Sequence, residues 1–364
     1  MLIIHRRGCA LSYVLFTLLV VFALLPQWAA NGQPPTPLPE GLGGKLAFTK
    51  ALSGGVMPLH LITFTAPPPT EQSLIPNFSC AGEAQLCRHT QLTWSPDGRA
   101  LAYLEGSTLA LSSRLFILDT LTGEQRLIAD DVWRFDAPVW SPDGKRLLYT
   151  ADRDGKTVLQ QVDLATNANT ALTEATDASQ FAPAFSPSGD RIAFTEQESE
   201  RSTVILINAD GRDRRVLAEG VFPSWSPQGD QIVFSKRLAN QTALYLIQPD
   251  GTQLQRLTYG TTDAYMPRWS PDGQAIVFLR RDSAERYARL YLITPADGTE
   301  RQLADSVILG EPFAWSPDGL FIAFIAPYNR IFTALAVVEI SSGRVFQLVQ
   351  GGQLSQLAWT GETP

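Results

Sequence analysis

Residues able to carry chemistry are few in this chain and stand far apart. Of three histidines, His5 lies in a basic N-terminal stretch, His60 inside the apolar run Leu59 to Phe64, and His89 beside a cysteine. A serine hydrolase needs a nucleophile on a strained Gly-x-Ser-x-Gly turn and a histidine base, and no such string occurs. Asp152-Arg153-Asp154-Gly155 opens like a calcium loop but lacks the later ligands and the terminal Glu, so it reads as a hairpin turn. We therefore expect no catalytic, cofactor-binding or metal-binding residue, and no cofactor. Cys80 and Cys87 lie in a connecting segment, NFSCAGEAQLCRHTQ, that is longer than its counterparts elsewhere. Two cysteines so spaced in an exported chain predict a disulfide that staples a surface loop.

Export is the expectation from the N-terminus. His5-Arg6-Arg7 precedes an apolar run from Cys9 to Leu25, which Pro26 breaks before Ala29-Ala30. A basic start, an apolar core and small residues are the plan of a secretory signal. The run is long for a signal core and short for a spanning helix of about 20 residues, so residues 1–30 read as a signal peptide or an N-terminal membrane anchor. Either reading places the rest of the chain in the periplasm, another extracytoplasmic space or the medium. Residues 31–44, NGQPPTPLPEGLGG, have no apolar periodicity and read as a Pro/Gly-rich linker. With 29 Lys and Arg against 36 Asp and Glu, the net charge is −7. That balance argues against nucleic acid or an anionic membrane surface as partner.

Everything after residue 44 follows one repeat. Trp94-Ser95-Pro96-Asp97-Gly98 returns at Trp140, Trp269 and Trp315, with weaker copies at Phe185 and Trp225. Nine residues after each anchor aromatic stands another aromatic: Tyr103, Tyr149, Phe194, Phe234, Phe278 and Phe324. A branched aliphatic lies two residues before each of these, an alternation that marks a strand with one buried face. Ser-Pro-Asp-Gly suits a tight turn. A second hairpin follows in each unit, as in Leu115–Asp119 turning at Thr122-Gly123, so a unit is four antiparallel strands. Anchors 40 to 46 residues apart, with four strands per unit, predict an all-β chain folded as a β-propeller.

The ends set the expected closure. Lys45-Leu46-Ala47-Phe48 reads as a second strand without a first, because Pro39 stands at the anchor position. Gln356 to Thr360 supplies a first strand with Trp359 as its anchor. The C-terminal strand should therefore complete the first blade, giving seven blades over residues 45–364, with six the alternative.

WSPDG followed by an (I/L)-x-(F/Y) strand resembles the PD40, or WD40-like, repeat of the TolB-type propellers. The repeat is also similar to the propeller parts of the dipeptidyl peptidase IV and prolyl oligopeptidase families. The TolB family carries a separate N-terminal α/β domain and six blades, and residues 31–44 depart from that plan. Peptidases of the other families need a hydrolase domain, and propeller lyases need converging histidines, for which this chain has few candidates.

Function is then expected on one face. SPDG and DG turns join strands one to two and three to four, and read as scaffold. The remaining connections open on the opposite face around the central channel, where variable loops on a rigid scaffold usually bind. There the chain places Trp133, Arg134, Phe135, Asp136, Phe181, Phe222, Tyr265, Arg281 and Arg330, with aromatic and Arg types enriched as in binding hot spots. The same aromatics could instead plug the channel or pack between blades. The expectation is a monomeric, non-catalytic scaffold binding an envelope protein or peptide. The alternatives are a propeller-face enzyme acting on polysaccharide or peptidoglycan, and a subunit gating a separately encoded peptidase.

Overall fold

A computed structural model describes residues 38–51, 57–64, 69–75, 87–107, 112–153, 155–281, 285–308, 313–329 and 332–361. The N-terminal segment 1–37 lies outside them, and so do Cys80 and Arg330. Residues 39–364 form one compact unit, and among the described residues every regular element is a strand.

The strands pair as antiparallel meanders. Four sheets take four consecutive strands each, within 179–219, 221–256, 263–307 and 314–350. A fifth joins the two ends of the chain: Leu354–Thr360 pairs with Lys45–Lys50, which continues to Leu59–Thr63 and Thr70–Ser73. The last sheet has eight strands. It holds two four-strand groups, within 87–133 and 139–171, which a single pair, Val132↔Ala151, joins. There the first strand of the second group shrinks to Val139–Trp140, and the end of Gln125–Trp133 takes the vacated place beside Arg146–Arg153.

The repeated aromatics fill the space between neighbouring units. Phe48, Tyr103, Tyr149, Phe194, Phe234, Phe278 and Phe324 are at most 2% exposed. Burying one such ring contributes about 1.5–3 kcal/mol. The anchor indoles add polar ties. Trp94, Trp140 and Trp225 donate through Nε1 to the carbonyls of Ala358, Thr93 and Ala184, at 3.1, 3.3 and 3.2 Å. Each acceptor is the residue just before the anchor of the adjoining unit.

The SPDG turns are held by one device. Ser95, Ser141, Ser270 and Ser316 donate to the turn aspartate two residues on, each at 2.6 Å. The same hydroxyl accepts the backbone N–H five residues ahead, for example Ala100 at 2.9 Å. In the weaker copies, where Ser188 and Gln228 replace that aspartate, the serine reaches the acid after the turn glycine. Ser186 donates to Asp190 at 2.8 Å and Ser226 to Asp230 at 2.7 Å.

Candidate functional site

The first strands of five units share an irregularity. Three residues before the anchor, Gln91, Ala182, Phe222, Met266 and Gln356 have φ between 51° and 57°. The ladder skips at the same places, so each of these residues forms a bulge. A left-handed non-glycine residue costs about 1 kcal/mol or more, and here the cost recurs in unit after unit. In three of the five, a side chain meets the backbone N–H of the bulge residue. Gln356 Oε1 accepts from Gln91 N at 2.9 Å, Asp136 Oδ2 from Ala182 N at 2.8 Å, and Thr195 Oγ1 from Phe222 N at 3.0 Å.

Asp136 is the most tied of the residues expected at this face. Its Oδ2 also accepts from Thr150 Oγ1 at 2.6 Å, so one carboxylate links two units. Burial pushes its pKa up to about 6, against the lowering effect of those two hydrogen bonds and of Arg268. Trp133, Arg134 and Phe135 form a stacked group next to it. The Trp133 and Phe135 rings meet edge to face at 5.3 Å, and the Arg134 guanidinium lies 5.1 Å from the Phe135 centroid. Phe135 is 60% exposed, while Trp133 and Arg134 are half-buried. The Arg134 carbonyl accepts from Gln91 Nε2 at 3.5 Å.

The other expected residues are more enclosed. Phe181 and Phe222 touch each other edge to face at 5.8 Å and are half-buried. Tyr265 is half-buried and its hydroxyl meets no partner; burial first, then Asp263, pushes its pKa up to about 12. Arg281 is half-buried and stands opposite Asp263 in the ladder. Cys87 begins the strand Cys87–Trp94; its expected link to Cys80 lies outside the described residues, as does Arg330. Both described histidines face a carboxylate. His60 Nδ1 is 3.1 Å from Glu71, and the fully buried His89 is 3.6 Å from Glu105. The His60 imidazole beside it holds Glu71 below the usual carboxylate range, against its own burial.

One functional candidate escaped the sequence reading. Arg268 precedes the anchor Trp269, where other units have Thr93, Val139, Ala184, Ser224, Ala314 and Ala358. That contrast of a long cation with small or neutral residues was the available signal. Among the described residues, no group of three or more His, Cys, Asp and Glu is placed to hold a metal ion.

Comparison with known proteins matches this architecture. The TolB beta propeller domain family matches residues 156–363. An uncharacterized peptidase, YuxL of Bacillus subtilis, is 41% identical over 66 residues, which are 17% of this chain and 9% of the peptidase. The Tol-Pal system protein TolB of Anaeromyxobacter dehalogenans is 32% identical over 95 residues, 26% of this chain and 21% of TolB. The matches thus span about a fifth or less of these relatives' length. An oligogalacturonate lyase solved with manganese superposes with a TM-score of 0.61 at 16% identity, over 85% of this chain and 86% of the lyase. At that identity the likeness is one of fold. The chain belongs to the TolB β-propeller family.

Proposed function

We propose that this chain is an exported, non-catalytic propeller that binds a protein or peptide partner at the cell envelope. The observation that carries the reading is the Trp133–Arg134–Phe135 group. An aromatic side chain 60% exposed is held in place by an edge-on indole and an overlying guanidinium, so little ordering entropy is left to lose on binding. Rigid aromatic and Arg groups beside a concave opening are the composition of hot spots. The strained inner strands beneath them give that group a stiff support. Kinship with a Tol-Pal system protein supports an envelope role.

The test is capture of a partner from envelope extracts by the exported chain. Trp133→Ala combined with Arg134→Ala should weaken capture by about 2 kcal/mol, near thirty-fold, with an unchanged melting temperature. Phe135→Ser, at the exposed tip of the group, should weaken it without touching the core. Equal capture by all three proteins would overturn the assignment.

A further inference from the structure

The first strand of one unit, Asp263–Trp269, lacks the polar ties that hold its counterparts. One unit earlier, Thr195 Oγ1 accepts from Phe222 N at 3.0 Å, and Trp225 Nε1 donates to the Ala184 carbonyl at 3.2 Å. The corresponding groups one unit on are Ser235 Oγ, which follows Phe234 as Thr195 follows Phe194, then Met266 N, Trp269 Nε1 and the Ser224 carbonyl. Ser235 is fully buried, yet neither its hydroxyl nor the Trp269 indole N–H meets a partner. Towards the next unit the same holds for the Tyr265 hydroxyl and for the N–H of Trp315, whose corresponding acceptor is the Arg268 carbonyl. Even the unit with a phenylalanine anchor is better tied. There Arg146 lies 5.5 Å from the Phe185 centroid and donates to the Gly189 carbonyl at 2.9 Å.

Buried polar groups are nearly always paired, and one left without a partner is costly. Here four of them gather about a single strand. Met266 adds strain, because its φ is 54° and Ser235 does not cap its N–H as Thr195 caps that of Phe222. The strand is held at its ends instead. Asp263 Oδ1 accepts from Thr242 N at 2.7 Å, and just beyond Trp269 the Asp272 carbonyl accepts from Gln228 Nε2 at 3.3 Å. Between these points it packs through apolar groups. Ala264 and Trp269 belong with the cluster of Val233 and Leu244, and Tyr265 and Met266 with that of Ile322 and Phe324. Such packing has no preferred direction and permits a small slide.

We infer that the strand Asp263–Trp269 is a moving part of the ring. It alternates between the arrangement described and a clamped one, in which Trp269 Nε1 reaches the Ser224 carbonyl, Trp315 Nε1 the Arg268 carbonyl and Met266 N the Ser235 hydroxyl. Tyr265 travels with the strand, so the face to which it belongs changes shape with the clamps. The movement is a property of the ring itself, whatever partner that face takes.

Hydrogen exchange of the indoles tests this, followed in proton–nitrogen spectra of the tryptophan-labelled chain and assigned with single Trp→Phe variants. The N–H groups of Trp269 and Trp315 are shielded from solvent, so they exchange only when the strand moves. They should exchange about tenfold faster than those of Trp94, Trp140 and Trp225, the protection that one hydrogen bond confers. In the wild type, mass spectrometry should find the backbone amides of 263–269 exchanging faster than those of 221–225, well below the melting temperature. That comparison needs no variant to fold. Trp225→Phe should speed exchange over 221–225, whereas Trp269→Phe should leave 263–269 as it was. Indoles of Trp269 and Trp315 as protected as the other anchors would overturn the inference, with the strand fixed and its donors paired to trapped water. Amide exchange that is equal over 221–225 and 263–269 would overturn it as well.

Discussion

Asp136 sits where burial and hydrogen bonding pull its carboxyl in opposite directions, and burial wins. With a folded pKa of about 6 against an ordinary 3.8, the folded chain binds more protons than the unfolded chain between these values. Stability therefore falls as pH rises through that window, and the contribution is fully present only below about pH 4. Two pKa units correspond to about 3 kcal/mol; the group is half-buried, and solvent screening reduces the figure to on the order of 2 kcal/mol. Asp136→Asn removes the titration while keeping an acceptor for Ala182 N. Urea unfolding at pH 4 and pH 7 should show the variant gaining about 2 kcal/mol on the wild type between the two. A difference that does not change with pH would mean that the carboxylate is held without a burial penalty.

At the scale of elements, the serine-centred turn explains how an imperfect repeat keeps its shape. Ser226 bonds Asp230 in place of the missing turn aspartate, so the acid has moved along the chain while the hydroxyl keeps its role. Asp230→Ala should cost about 1 kcal/mol, the net worth of such a bond. Gln228→Ala, at the position the repeat pattern marks, should cost less than about half of that. Urea midpoints measure both, and the reverse order would show that the turn depends on its pattern position. The hairpins and anchors were legible in the sequence because identical local demands recur in each unit. The bulges were not: Gln91, Ala182, Phe222, Met266 and Gln356 are not residues that favour a left-handed backbone, and tertiary contacts impose it on them. Nor was the eight-stranded sheet, which arises from how far Gln125–Trp133 runs before its chain turns inward. Of the candidate site, Trp133 to Phe135 could be read from residue type. The influence of Arg268 on the Asp136 carboxyl could not, because only ring closure brings such distant units near each other.

At the scale of the whole molecule, the ring depends on one seam between the chain's ends. Lys45 to Lys50 pairs with Thr360 back to Leu354, and Trp359 Nε1 donates to the Gly43 carbonyl at 3.0 Å. Leu46, Phe48 and Trp359 share a core with Phe321 and Val337 of the preceding unit. Closing the seam buries apolar faces and removes two strand edges that would otherwise recruit other chains. Gly44 is the tightest point. It has φ +86°, and a Cβ there would stand 2.2 Å from the Thr360 carbonyl oxygen. Gly41 has φ +82° and nothing within 4 Å of such a Cβ. The two glycines thus share the left-handed cost of about 1–2 kcal/mol and differ in the backbone clash across the seam. Gly41→Ala should lower stability by that backbone cost alone. Gly44→Ala should lose at least ~2 kcal/mol more, since neither backbone can retreat without breaking the Lys45↔Thr360 pair. It should also aggregate faster on heating, and so should a chain cut before Gln356. Equal losses for the two glycine variants, with equal aggregation, would show that the ring holds without its seam.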